Sequence, residues 1–271
     1  MTLLGVALTA ALTLGGFGAA LYVFQDRLIY FPDTRPPPPP AAMGLRDVRE
    51  VRLRTADGLD ILGWEAPAPD GRAPVILYLH GNGGHVAYRA ERIARFQQLG
   101  WGALVVQWRG YGGNPGAPSE DGLAEDARAG LAHLRAQGIA PARTVLWGES
   151  LGTGPVLRLA AEQPDAAAAL VLESPYTSLL DLARLHYPLL PSGLLLRDRY
   201  DSLSRIGAAR APILILQGAR DTLVPPEMGR RLQAAATAPA ELWEAPGAGH
   251  NDIGPAGGVE AAAAFVRRQL R

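Results

Sequence analysis

Gly148-Glu149-Ser150-Leu151-Gly152 sets a serine between two glycines, after the β-prone run Thr144–Trp147 and before a helical pattern over Leu151–Glu162. A serine at a sharp strand-to-helix turn projects its hydroxyl from the end of a sheet, and side chains at the flanking positions would collide with neighbouring strands. The helix that follows brings free backbone N–H groups and a positive dipole end to any negative charge developing nearby. That is the equipment of acyl transfer, with Ser150 as nucleophile. Pro155, early in that helix, lacks a backbone donor and predicts a slight distortion there.

A serine hydroxyl needs a base, and the base needs an acid to hold its tautomer. Of five histidines, His250 lies in Ala245-Pro-Gly-Ala-Gly-His-Asn-Asp252, a glycine-rich loop beyond the last strand pattern. His133 falls on the outer face of an amphipathic helix and reads as solvated, and His186 reads as packing. His80 and His85 bracket a glycine-rich loop. Asp221 follows the run Ile213–Gln217 through Gly218-Ala-Arg220, so serine, acid and histidine occur in the order expected of this architecture. Glu173, ending the preceding strand, is the alternative acid, while Asp252 reads as a brace for the His250 loop. The oxyanion hole needs two backbone donors: Leu151, and one from His80-Gly81-Asn82-Gly83-Gly84, where Asn82 is favoured and Gly83 comes next. Such a glycine-dense loop allows close backbone approach to a substrate. Without lysine or the Walker or Rossmann spacing it is not a phosphate loop.

The elements that must position these residues alternate. Val48–Arg54 and Leu59–Trp64 flank Ala56-Asp57-Gly58 as a hairpin. Short apolar runs follow at Val75–Leu79, Ala103–Gln107, Thr144–Trp147, Leu170–Leu172, Ile213–Gln217 and Glu241–Trp243. Helical patterns lie between them, as at Leu123, Ala127, Leu131 and Leu134. Strands buried on both faces and alternating with helices predict an α/β fold with a mostly parallel, doubly wound sheet and helices on both faces. Tyr176–Ile206, leucine-rich and interrupted by Pro188 and Pro191, is too long for a connection and predicts a small helical cap at about 176–206.

Composition narrows the chemistry. The 271 residues carry 26 basic and 26 acidic side chains, so nothing points to nucleic acid as a partner. All the basic residues are arginine, which excludes a Schiff-base lysine, and there is no cysteine for a thiol nucleophile or a thiolate-bound metal. No cofactor or metal is expected. Thr2–Phe24 is free of charge, about 34 Å as a helix against roughly 30 Å of hydrocarbon. It predicts a transmembrane anchor over 1–25, or else a signal sequence. The arginines that follow it favour a cytoplasmic catalytic domain. Residues 26–47 read as a linker in which Pro36–Pro40 form a stiff spacer, and 48–271 as the catalytic domain.

Taken together, several segments resemble the Bem46-like α/β hydrolases, related to the serine aminopeptidase S33-type domain. They are Asp26-Arg-Leu-Ile-Tyr-Phe-Pro32, His80–Gly84, Arg109-Gly-Tyr-Gly112 with Pro118-Ser-Glu120, Gly148–Gly152, Glu173-Ser-Pro-Tyr176, Asp198-Arg-Tyr-Asp201, Gly218-Ala-Arg-Asp221 and Gly247-Ala-Gly-His250. The resemblance implies an α/β-hydrolase fold, Ser150, Asp221 and His250 as a triad, and a single N-terminal anchor. Gly83 departs from the alanine of many relatives. The expected activity is hydrolysis of a small-molecule or lipid-like acyl ester or thioester. A peptidase, with Glu173, Asp181 or Asp198 receiving a substrate amine, and a non-catalytic membrane-tethered scaffold are the alternatives.

Overall fold

A computed structural model describes residues 2–270; within the first helix, the side chains at 6, 7, 10, 11 and 14 lie outside that description. Eight strands form the central sheet: β1 (Arg49–Arg54), β2 (Asp60–Ala66), β3 (Val75–Leu79), β4 (Gly102–Val106), β5 (Thr144–Glu149), β6 (Ala169–Glu173), β7 (Ile213–Gly218) and β8 (Ala240–Ala245). Their spatial order is β1-β2-β4-β3-β5-β6-β7-β8. Strands β3 to β8 run parallel, and the β1–β2 hairpin adds the antiparallel edge.

The sheet divides the apolar side chains into two cores by simple alternation. Leu77, Leu79, Leu104 and Val106 point to one face, whereas Ile76, Tyr78, Ala103 and Val105 point to the other. The first face is covered by α4 (Glu120–Ala136), α5 (Thr153–Glu162) and α9 (Pro226–Ala235), through Leu123, Leu157 and Leu232. The second is covered by α3 (Ala90–Gln98) and α10 (Val259–Gln269), through Phe96 and Phe265. Chain reversal in strand order at β3 opens a crevice at the carboxyl ends of the strands, the usual place for a ligand in such sheets. The sequence-derived elements match these within a residue or two at each end. Pro155 causes no distortion: it is the third residue of α5, where a backbone N–H has no intrahelical partner in any case.

The cap is helical as expected. It comprises α6 (Leu179–His186), α7 (Ser192–Leu195) and α8 (Ser202–Ile206), and the prolines at 188 and 191 separate the first two. The expected anchor segment falls on the first helix. Leu3–Phe24 forms a helix, α1, yet among the described residues no helix is long and apolar enough to cross a membrane. Thr9 and Thr13 turn their hydroxyls back onto the carbonyls of Gly5 and Thr9, both at 2.9 Å. Nor does the proline run stand free as a spacer: Pro40 is buried and Pro36 lies against Gly113.

One buried cluster staples the edge hairpin to the body. Arg109 donates from its backbone N–H and Nε to the two oxygens of Asp126 in α4, at 2.8 and 2.9 Å, and from its other nitrogens to Asp57 at the hairpin turn. Asp126 is fully buried, so its loss strands part of a guanidinium in the interior. Asp126→Ala is expected to lower unfolding stability by about 3 kcal/mol, read as a reduced urea midpoint, because removing one member of a buried pair leaves the other uncompensated.

Candidate active site

The turn after β5 is as tight as its glycines suggest. Ser150 sits at φ 48°, a left-handed conformation that costs a non-glycine residue energy and marks a strained position. A Cβ at Gly148 would meet the Gly152 carbonyl at 2.6 Å, and one at Gly152 would collide with the Leu79 carbonyl of β3. A single 3-10 turn, Ser150–Gly152, bridges the strand to α5. Thr153 closes it by donating its hydroxyl to the Ser150 carbonyl at 2.7 Å, and Tyr176 donates to the Leu151 carbonyl at 3.2 Å.

Ser150, His250 and Asp221 meet across three strand ends. Ser150 Oγ lies 2.9 Å from His250 Nε2, and His250 Nδ1 lies 2.7 Å from Asp221 Oδ2. A carboxylate only accepts, so Nδ1 carries the proton and Nε2 presents its lone pair to the serine hydroxyl. Asp221 is buried, and its Oδ1 accepts from the backbone N–H groups of Leu223 and Val224 at 2.9 and 2.8 Å. Those bonds aim its other oxygen at the imidazole. The His250 loop is braced by Asp252, which accepts from the Gly249 N–H at 2.8 Å, and by Ser174, whose hydroxyl donates to the His250 carbonyl at 3.2 Å.

The alternative acid is occupied elsewhere. Glu173 accepts two bonds from Arg92 at 2.8 and 2.9 Å and one from the Trp147 indole at 3.1 Å. His133 is not simply solvated, since its Nε2 lies 2.8 Å from Glu65 Oε2. His186 faces the cavity above Ser150 and donates through Nε2 to the Leu223 carbonyl at 2.8 Å, joining the cap to the Asp221 turn.

Arg89, and the side-chain partners of Glu149 and Asn82, carry no sequence signal. Glu149, between Gly148 and Ser150, receives Arg89 through Nη2 at 2.6 Å and Nε at 3.1 Å, and the Tyr78 hydroxyl at 2.6 Å. Burial opposes ionisation of Glu149, but the Arg89 charge and these hydrogen bonds overcome it and hold the carboxyl at about 2. Arg89 also donates to the Gly83 carbonyl at 2.9 Å, so one guanidinium spans the nucleophile turn and the glycine loop. Gly81 has no room for a Cβ, which would lie 2.8 Å from Glu149 Oε1. The Asn82 side chain is held at both ends: its Oδ1 accepts from Tyr111 and from the Phe31 N–H, and its Nδ2 donates to the Ile29 carbonyl. Asn82, Ser150 and Leu151 line one cavity of about 1170 Å³ with His250.

Comparison with known proteins agrees with this architecture. The α/β-hydrolase-fold family model matches residues 74–205. An uncharacterised protein of Mycobacterium tuberculosis is 43% identical over 92% of this chain and 88% of its own length. Protein bem46 of Schizosaccharomyces pombe is 30% identical over 86% of this chain and 82% of its own. Among solved structures, the esterase Pf2001 of Pyrococcus furiosus superimposes with a TM-score of 0.71 at 20% identity, over 90% of this chain and all of that one. The fold and these matches define an α/β hydrolase. More narrowly, the chain belongs to the Bem46-like family.

His80 supplies a pH test of the loop. Its Nδ1 lies 2.7 Å from the Gly81 carbonyl, and its ring packs against Trp108 and Tyr111. Burial, reinforced by the charge of Arg89, pulls the imidazole from 6.5 down to about 3. An unfolded chain binds this proton near pH 6.5 and the folded one resists it, so the stabilising contribution is complete above 6.5 and is lost as pH falls toward 3. Thermal melts across that window are expected to show a falling Tm, and His80→Gln to flatten the fall.

Proposed function

We propose that this hydrolase is a serine esterase that cleaves carboxylic ester or thioester bonds through an acyl-enzyme on Ser150. The observation that carries the reading is the Ser150–His250–Asp221 hydrogen-bonded chain opening into an apolar cavity. In the first step Ser150 Oγ attacks the acyl carbonyl while His250 Nε2 takes its proton. The tetrahedral oxyanion is held by the backbone N–H groups of Leu151 and Asn82. His250 then returns the proton to the leaving alcohol or thiol as the carbon–oxygen or carbon–sulfur bond breaks. Water activated by the same imidazole clears the ester, and Asp221 stabilises the transient imidazolium.

The cavity favours an apolar acyl group. Leu179, Leu182, Leu190 and Leu196 of the cap line one side, and Leu28 and Ile29 line the other. A peptidase reading needs a carboxylate free to receive a substrate amine. Glu173 is paired with Arg92, Asp181 accepts from Thr177 at 2.6 Å, and Asp198 accepts from Tyr30 at 2.6 Å. Glu149, the acidic residue lining the cavity, is held by Arg89. The esterase reading is therefore preferred to the peptidase one. A place at a lipid surface fits as well: Leu3, Leu4, Leu8, Leu12 and Phe17 of α1 are exposed, and so are Leu189 and Leu194 of the cap at 96% and 85%. Supporting a catalytic reading over a scaffold, the strained serine is costly to keep without chemistry to perform.

A fluorophosphonate probe is expected to label the wild-type protein and to leave Ser150→Ala unlabelled, with kcat on a p-nitrophenyl ester reduced by about 10³-fold or more. Across an acyl-chain series, kcat/KM should rise with chain length. Cleavage of aminoacyl amides alone would exclude the esterase reading.

A further inference from the structure

In the stretch that joins α1 to the sheet, Ile29, Phe31 and Asp33 are each bonded to the glycine loop. At its start Gln25 is buried; its Oε1 accepts from the Arg197 N–H at 2.8 Å and its Nε2 donates to the Leu195 carbonyl at 3.0 Å. That anchors the end of α1 to α7 of the cap, and Asp26 adds an ion pair to Arg197 at 2.7 Å. A short helix, α2 (Asp26–Ile29), follows. The Ile29 carbonyl then accepts from Asn82 Nδ2 at 2.5 Å, and the Phe31 N–H donates to Asn82 Oδ1 at 3.2 Å. Phe31 and Pro32 pair in parallel with Gly83 and Gly84, forming a two-stranded sheet apart from the main one. Between them Tyr30 turns inward, with its hydroxyl 2.6 Å from Asp198 and 2.8 Å from Tyr200. Beyond, the Asp33 N–H donates to the Gly84 carbonyl and the Asp33 carbonyl accepts from Gly112.

These contacts matter because the loop they hold is Gly81-Asn82-Gly83-Gly84. Three glycines in four residues leave its backbone with little preference of its own. Arg89 restrains it from the side of the nucleophile, through the Gly83 carbonyl. On the opposite side it is restrained by the Ile29–Pro32 strip, working through Asn82 and the short pairing. An oxyanion donor acts through being fixed before the charge develops, and a misplacement of about 1 Å can cost on the order of 10²-fold in rate. The same strip also faces the substrate cavity, which it lines with Gln25, Leu28, Ile29 and Phe31.

We propose that Gln25–Pro32 is a working wall of the active site: it positions the oxyanion loop through the Asn82 side chain, and through Leu28 and Ile29 it sets the acyl-chain length the cavity accepts. This rests on the esterase reading and extends it. Asn82 thus has two separate duties, a backbone N–H for the oxyanion and a side chain for positioning, which a substitution can part.

The test uses full-length protein in detergent micelles, with short and long p-nitrophenyl esters. Asn82→Ala keeps the backbone donor and removes the tie; kcat on the short ester is expected to fall by about 10²-fold while KM changes by no more than about threefold. Tyr111→Phe removes one bond from the Asn82 side chain with little change of shape, and should lower kcat several-fold even if the alanine variant folds poorly. Leu28→Trp is expected to cut the long-to-short ratio of kcat/KM by at least tenfold. If the wild type turns over esters while Asn82→Ala and Tyr111→Phe keep kcat within twofold and Leu28→Trp leaves the ratio unmoved, the proposal is overturned. Absence of both turnover and fluorophosphonate labelling in the wild type would instead overturn the esterase reading beneath it.

Discussion

The close approach of Gly152 to the end of β3 governs the rest of the site. With no Cβ at that position, the 3-10 turn after β5 lies directly against the Leu79 carbonyl, and Ser150 is forced into a left-handed backbone conformation above it. The two central parallel strands thereby bring Ser150 and the glycine loop to one point. The residues following β5 supply Ser150 and the Leu151 amide, and those following β3 supply the glycine loop. A larger residue at 152 would separate them, whatever happened to the triad. The serine's strain is carried by the packing of two strands and a helix, each of which has one of the two cores behind it.

Around this point the charges are arranged to restrain and not to react. Glu149 and Glu173 end adjacent strands, and each is answered by an arginine of the chain leading into or along α3. Arg92 lies over the rings of Trp147 and Tyr78, at 5.3 and 5.8 Å, while its fork holds Glu173. A planar, permanently charged fork suits both contacts at once, which an ammonium group would not. In a chain without lysine, these positions have the side chain that their geometry requires.

Much of this was legible in the sequence, because the strands are short apolar runs punctuated by glycine and the triad follows a fixed order along them. Ser150, Asp221 and His250 stand where strands end, and a local pattern is enough to find a strand end. Arg89 and Asn82 were harder. Their partners are 60 and 53 residues away, and an arginine entering an amphipathic helix has the pattern of a solvated face. The same limit applies to His133, whose outward helical position conceals its bond to Glu65. Residues 26–47 read as a linker with Pro36–Pro40 as a stiff spacer, since prolines prescribe a backbone shape and say nothing of what it lies against. The charge-free N-terminal run predicts a helix, which is found over Leu3–Phe24.

The cap contact has a further meaning. The amide plane between Leu223 and Val224 accepts from His186 through its carbonyl and donates to Asp221 through its N–H. Hydrogen bonds at opposite ends of one peptide group polarise it in the same sense and strengthen one another. Lifting α6 from the cavity mouth therefore withdraws support from the donor that steadies the acid. The cap and the turn that carries the acid are thus joined through a single peptide group, so the position of one bears on the position of the other.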